Sequence, residues 1–178
     1  KHGKQKMADW IVFGGWAIKP DLLRPLFGNK AVYIDVNTII PSLILQDRLI
    51  PDWQNKVASI ITDQIHLADQ PLRIAGWSTG ASIAWALALQ TSTAAGVFLS
   101  ATPSFCRNRA AGFAFGQRSS VLEAMRKQLL TDPQAVVEKF CEQGEIPMMP
   151  QADQADANDL IAGLHFLEQA THLPISPA

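Results

Sequence analysis

At 178 residues, 48% of them hydrophobic, the chain has the size of one domain and enough apolar side chains to bury a sizeable core. A formal net charge of −1 excludes a global field that would recruit nucleic acid or an anionic membrane, so an acidic partner must be met by a local patch. The two cysteines, Cys106 and Cys141, fall in separate predicted elements without metal-ligand spacing, which argues against a disulfide framework and for buried thiols in a reducing cytosol.

No run is long and apolar enough to span a bilayer, no signal-peptide pattern opens the chain, and no motif calls for a cofactor or metal. A cytoplasmic location is the default expectation. Polar residues 1–6 precede Met7, which reads as the natural start with a cloning remnant before it.

In chain order, residues 9–13 are a short apolar run ending at Gly14 and Gly15, the pattern of a buried strand followed by a turn with unusual backbone angles. Trp16 comes next. If this strand lies beside the one leading to Ser78, the Trp16 N–H faces the same pocket as an oxyanion donor; otherwise Trp16 is a pocket wall or core residue, and both readings stand. Residues 31–36, β-branched and continuous, predict a second strand covered on both faces, with Asp35 near its end as a loop cap. From Pro51, the residues Trp53, Val57, Ile60, Ile61 and Ile65 recur at helical spacing, ending before Pro71. His66, at the end of that helix, reads as a partner of the negative dipole end.

The stretch 72–84 carries the chemistry. A short apolar run meets Gly76-Trp77-Ser78-Thr79-Gly80 and passes straight into a helical pattern, which reads as a nucleophile elbow. A serine at the tip of a sharp strand-to-helix turn is forced out of the sheet, and small residues two places either side relieve the crowding. The helix that follows aims free N–H groups, Thr79 among them, at the space where an oxyanion would form. Ile83, Ala84, Leu87 and Ala88 then give an apolar helical stripe, and residues 96–100 the next strand. Strands alternating with helices at this spacing predict an α/β fold with a parallel sheet.

After Pro103 the strand signal stops and helices take over. Residues 120–123 read as a capping box, Asp132 and Pro133 open a second helix, residues 144–154 form a loop, and residues 156–159 cap a third helix. Helices inserted after a sheet strand would form a lid over the strand ends. Arg107, Arg109, Arg118, Arg126 and Lys127 face only Glu123 in this stretch; they read as a solvated face or as a docking patch for an acidic carrier, whose binding weakens with salt.

Residues 11–16, 76–80 and 99–105, with lid segments 121–129, 137–140 and 159–164, resemble the α/β-hydrolase superfamily. Within it they are most similar to the pimeloyl-[acyl-carrier protein] methyl ester esterases of biotin synthesis, from about Trp10 to the chain end. The elbow and the turn after the first strand carry the superfamily, and the lid carries the substrate. The resemblance divides the chain into a core at 7–104, a helical lid at 105–171 and a return to the core at 172–178, and implies missing C-terminal strands.

In such enzymes the elbow serine attacks an ester carbonyl, a histidine is general base, an aspartate orients it, and two backbone N–H groups hold the oxyanion. The resemblance implies Ser78 as nucleophile and the N–H groups of Trp16 and Thr79 as donors. It also implies contacts from basic lid residues to an acyl carrier protein bearing the pimeloyl methyl ester. Lys139 holds one such position, with Arg118, Arg126 and Lys127 as further candidates, while Ala135 stands where a basic residue is expected. Gly14 stands where the family often has His.

The family's Asp and His follow the lid and have no matching position before Ala178, so the expectation is an incomplete chain. His165 and His172 are the histidines after the elbow, on a lid helix and at its exit. Three functions follow: the carrier-dependent methyl esterase, a lid-bearing esterase or thioesterase on free small esters, and a non-catalytic carrier-binding module.

Overall fold

The computed structural model describes residues 10–65, 71–109, 112–146 and 156–172. The sequence readings at Met7, Asp9, His66 and positions 147–154 and 173–178 lie outside the described residues. Chain order is β1 (Ile11–Phe13), α1 (Arg24–Phe27), β2 (Val32–Ile34), α2 (Val36–Ile39), the short strands β3 (Ile44–Leu45) and β4 (Arg48–Leu49), α3 (Trp53–Gln64), β5 (Leu72–Trp77), α4 (Thr79–Gln90) and β6 (Thr93–Leu99). Three helices follow: α5 (Ser119–Leu129), α6 (Pro133–Gln143) and α7 (Ala157–Gln169).

The fold is α/β. Among the described residues four strands form one parallel sheet in the order β2-β1-β5-β6, with Ile11 opposite both Val32 and Ile74. Alternation along each strand explains the layering. Ile11, Phe13, Ile34 and Ile74 face a core that includes Val57 and Ile61 of α3 and Ile83 and Leu87 of α4, whereas Val12 and Ala75 point to the opposite face, against Leu23 and Phe27. Chain order reverses between β1 and β5, and the crevice at the carboxyl ends of such a pair is where open parallel sheets bind ligands.

The second strand stops at Ile34, not Val36, because Asp35 caps α2 by accepting a hydrogen bond from the Asn37 N–H at 3.0 Å. The expected capping box at residues 120–123 does not form. The helix starts one residue earlier, at Ser119, with Arg118 at its N-cap, so Glu123 is too far along to reach back and instead pairs with Lys127 at 2.7 Å. The other two expected caps are present: Asp132 accepts from the Ala135 N–H at 3.0 Å and Asp156 from the Asn158 N–H at 2.8 Å.

Helix α7 has two buried faces. Phe166 and Ala162 join the core over the sheet, while Leu160, Leu164 and Leu167 pack with Leu122, Leu129, Val136 and Cys141. That second cluster reaches the sheet through Trp16 and Ile18. Cys106 and Cys141 are both buried thiols, and burial pushes both up from the ordinary thiol range. Among the described residues no helix is long and apolar enough to cross a membrane.

Candidate active site

One residue, Ser78, separates β5 from α4, and the chain reverses there at φ 54° and ψ −118°. Those angles belong to the first central residue of a type II′ turn, a position dominated by glycine, and a side chain there costs about 1–3 kcal/mol. The surroundings hold it in place. The Ser78 N–H donates to the Leu99 carbonyl of β6 at 2.8 Å, and the Ser78 carbonyl accepts from the Ala81 N–H at 2.9 Å. A Cβ at Gly76 would overlap the Gly80 carbonyl, and one at Gly80 would overlap the Gly14 carbonyl at the end of β1. Both glycines are therefore required by the close crossing of strand, helix and neighbouring strand.

Ser78 is half-buried and lines a cavity of about 220 Å³, together with Ser82, Ser100, Thr102, Phe105, Phe166, Leu167 and Ala170. Thr79 is fully buried beside it as the first residue of α4, and its N–H is one of the first-turn donors that a helix cannot satisfy internally. Ser100 and Thr102 were not singled out from the sequence. The signal was available, since β6 ends at Leu99 beside the end of β5, so the loop after it must border the elbow. Ser100, like Ser78, sits at positive φ, 52°.

The turn after β1 is braced from α2. The Ala17 N–H donates to Asn37 Oδ1 at 3.3 Å, Asn37 Nδ2 donates to Asp35 Oδ1 at 2.7 Å, and Lys19 Nζ reaches Asp35 Oδ2 at 2.7 Å. Ala17 itself is held at φ 56°. Asn37 is buried, so Asn37→Leu strands the Ala17 N–H; a loss of about 1–3 kcal/mol in urea unfolding is expected. The Trp16 indole is a core group, 1% exposed, and its Nε1 donates to the Leu160 carbonyl at 2.8 Å. The side chain is thus a core group, and it is not among the residues that line the Ser78 cavity. It leaves the backbone N–H as a separate matter.

Neither described histidine after the elbow lines the Ser78 cavity. His165 Nε2 lies 3.3 Å from Asp47 Oδ1, and burial, reinforced by Arg126, holds its pKa below the ordinary value. His172 is packed edge-on to Trp53, with neither ring nitrogen hydrogen-bonded among the described residues, and burial lowers its pKa. A histidine with a lowered folded-state pKa leaves stability intact above its unfolded value, about 6.5, and erodes it as pH falls below that. Urea unfolding at pH 7.5 and 5.5 should therefore show acid destabilisation of up to about 1.4 kcal/mol per pH unit from His172, and His172→Phe should flatten it.

Of the basic residues, Arg118, Lys127 and Lys139 are exposed, with Lys127 paired to Glu123. Arg126 is different: its side chain is 16% exposed and its Nη1 lies 2.8 Å from Glu168 Oε2 of α7. The sequence stretch around Arg126 offers only Glu123, which pairs with Lys127, whereas the Arg126 partner comes from 42 residues away. Among the described residues no group of three or more His, Cys, Asp or Glu side chains could hold a metal ion.

The structure is thus an α/β fold in which a parallel sheet carries a strained serine between strand and helix, at the strand ends where chain order reverses. No family model matches the chain, and no curated protein matches it in sequence. Among solved structures the chain is similar to the esterase EaEST from Exiguobacterium antarcticum, with a TM-score of 0.61 and 16% identity over 91% of this chain and 67% of that one. At that identity the likeness is one of fold.

Proposed function

We propose that the chain carries the nucleophile of a serine carboxylester hydrolase. The observation behind this is Ser78, held at a glycine-type backbone conformation that exposes its hydroxyl to a cavity at the strand ends. In this reading Ser78 Oγ attacks the ester carbonyl carbon and passes its proton to a general base. The N–H groups of Thr79 and Trp16 receive the oxyanion. Collapse expels the protonated alcohol and leaves an acyl-serine, which water then hydrolyses to the acid. The described lining supplies hydroxyls and apolar groups rather than a base.

The finer reading is a methyl ester on a pimeloyl chain carried by acyl carrier protein, with α5, α6 and α7 as a lid. Exposed Arg118, Lys127 and Lys139 on those helices and their approach support it, while Arg126, already neutralised by Glu168, contributes less than its sequence position implies. A second reading, a carrier-binding module without turnover, draws on the absence of a histidine from the described cavity lining.

A fluorophosphonate probe separates the two. Labelling mapped to Ser78 and lost in Ser78→Ala is the result for a hydrolase, and inertness with salt-sensitive carrier binding is the result for the module. Methanol release from the carrier-bound methyl ester, at least ten-fold faster than from the free dimethyl ester, tests the substrate; equal rates would leave an esterase of free small esters.

A further inference from the structure

Two walls of the Ser78 cavity come from distant parts of the chain. Ser100, Thr102 and Phe105 belong to the loop after β6, and Phe166, Leu167 and Ala170 to the end of α7. Two backbone contacts join these walls just past Ala170: the His172 N–H donates to the Pro103 carbonyl at 2.7 Å, and Thr171 bridges Ser104 as an antiparallel pair. Among the described residues no ion pair crosses this seam.

The His172 ring anchors the seam in the core. It is 7% exposed and sits between Trp53 of α3, with ring centroids 5.4 Å apart, and Trp85 of α4, at 6.0 Å. Neither imidazole nitrogen has a partner among the described residues, and the buried Trp85 Nε1, also unpartnered there, is a donor that cannot accept from a protonated ring. The titratable groups around the slot supply no countercharge. Helix α4 carries none, and the loop from Ser100 to Cys106 carries only that buried thiol. Those of α3, Asp52 at its N-cap with Lys56 and Asp63, are exposed. On α7, Glu168 is paired with Arg126 and His165 with Asp47, and Asp159 lies in the first turn, at the other end of the helix. Burial therefore holds the ring neutral. The indole faces attract a cation, but less strongly than so dry a slot disfavours it.

We propose that His172 is the pin of a pH-sensitive clasp on the Ser78 cavity: the neutral ring seats the end of α7 against the loop after β6, and protonation unseats it, parts the two walls and opens the cavity to solvent. The clasp is closed above the ordinary histidine value of about 6.5 and opens as pH falls below it. At pH 5.0 protonation favours the open form by up to about 30-fold relative to pH 7.5. This goes beyond the hydrolase reading, because the clasp governs access to the cavity whether or not Ser78 attacks an ester.

The test reads access directly, in the whole chain. Ala170→Cys places a thiol at a cavity-lining position that is 6% exposed with the clasp closed, while the native Cys141, buried in α6 outside that lining, reports global unfolding. The protein is labelled with dithiodipyridine, which reacts with thiols in acid, and the labelled positions are located by mass spectrometry. At pH 5.0 the introduced thiol should react at least ten-fold faster with His172 present than with His172→Phe, and at pH 7.5 the two rates should agree within two-fold. Comparing both backgrounds at one pH cancels the reagent's own pH dependence. His172→Gln, polar but unable to charge in this range, should behave as His172→Phe does. Ser82→Cys, a near-isosteric change in the same lining, is the reporter if Ala170→Cys does not fold. Equal rates in the His172 and His172→Phe backgrounds at pH 5.0 overturn the proposal. So does labelling of Cys141 in step with the introduced thiol, which would mean that acid unfolds the whole chain.

Discussion

On the proposed hydrolase reading, Ser78→Ala should lower ester hydrolysis by about 10⁴-fold or more, and Ser78→Gly should give the same loss together with a more stable protein. The first half follows from the covalent catalysis proposed above: without the hydroxyl there would be no acyl intermediate, and only the proposed oxyanion donors and substrate binding would remain. The second half follows from the backbone. At φ 54° and ψ −118° any Cβ is strained by about 1–3 kcal/mol, which glycine escapes. Glycine also loses about 0.5–1 kcal/mol through the extra entropy of its unfolded chain, so the net gain over Ser78→Ala should be about 1 kcal/mol. In a chain of 178 residues that amounts to roughly 2–4 °C in melting temperature. Calorimetric melting of both variants beside wild type measures it. A glycine variant less stable than the alanine variant would mean that the junction does not hold the strained conformation, and undiminished hydrolysis in both would remove Ser78 from the chemistry.

The elbow was legible in sequence because its geometry is local. Gly76 and Gly80 sit two places either side of Ser78, and the chain's own bulk demands small residues there. Strands β1, β5 and β6, and the caps at Asp132 and Asp156, were legible for the same reason: each is decided within a few residues. What could not be read depends on residues far apart in the chain. Glu168 neutralises Arg126 from another helix, and Asn37 braces Ala17 across 20 residues. The capping box failed on a one-residue shift, since a helix starting at Ser119 has Glu123 beyond the reach of its N-cap. The burial of His172 between Trp53 and Trp85 required the tertiary path of the chain after α7.

Trp16→Ala should cost about 3–5 kcal/mol, a large part of the 5–15 kcal/mol that holds a domain together. The indole joins the turn after β1 to the helices above it. It is fully buried, donates to the Leu160 carbonyl of α7, and meets the Phe140 ring of α6 edge-on at 4.9 Å between centroids. Gly163 gives it room, because a Cβ there would overlap the indole Cδ1. This makes the sign of a second substitution depend on the first. In wild type, Gly163→Ala drives a methyl into the ring and destabilises. Without the ring, the same change replaces a mid-helix glycine with the best helix former and should stabilise by up to about 1 kcal/mol. A double-mutant cycle by urea unfolding should therefore give a coupling above about 1 kcal/mol, beyond the few tenths shown by independent sites. Trp16→Phe keeps an aromatic ring and the backbone N–H, so it should cost less than Trp16→Ala and leave any esterase activity within several-fold of wild type. Additive effects of Trp16→Ala and Gly163→Ala would show that ring and helix do not meet, and the attachment of α7 to the β1 turn would have to come from elsewhere.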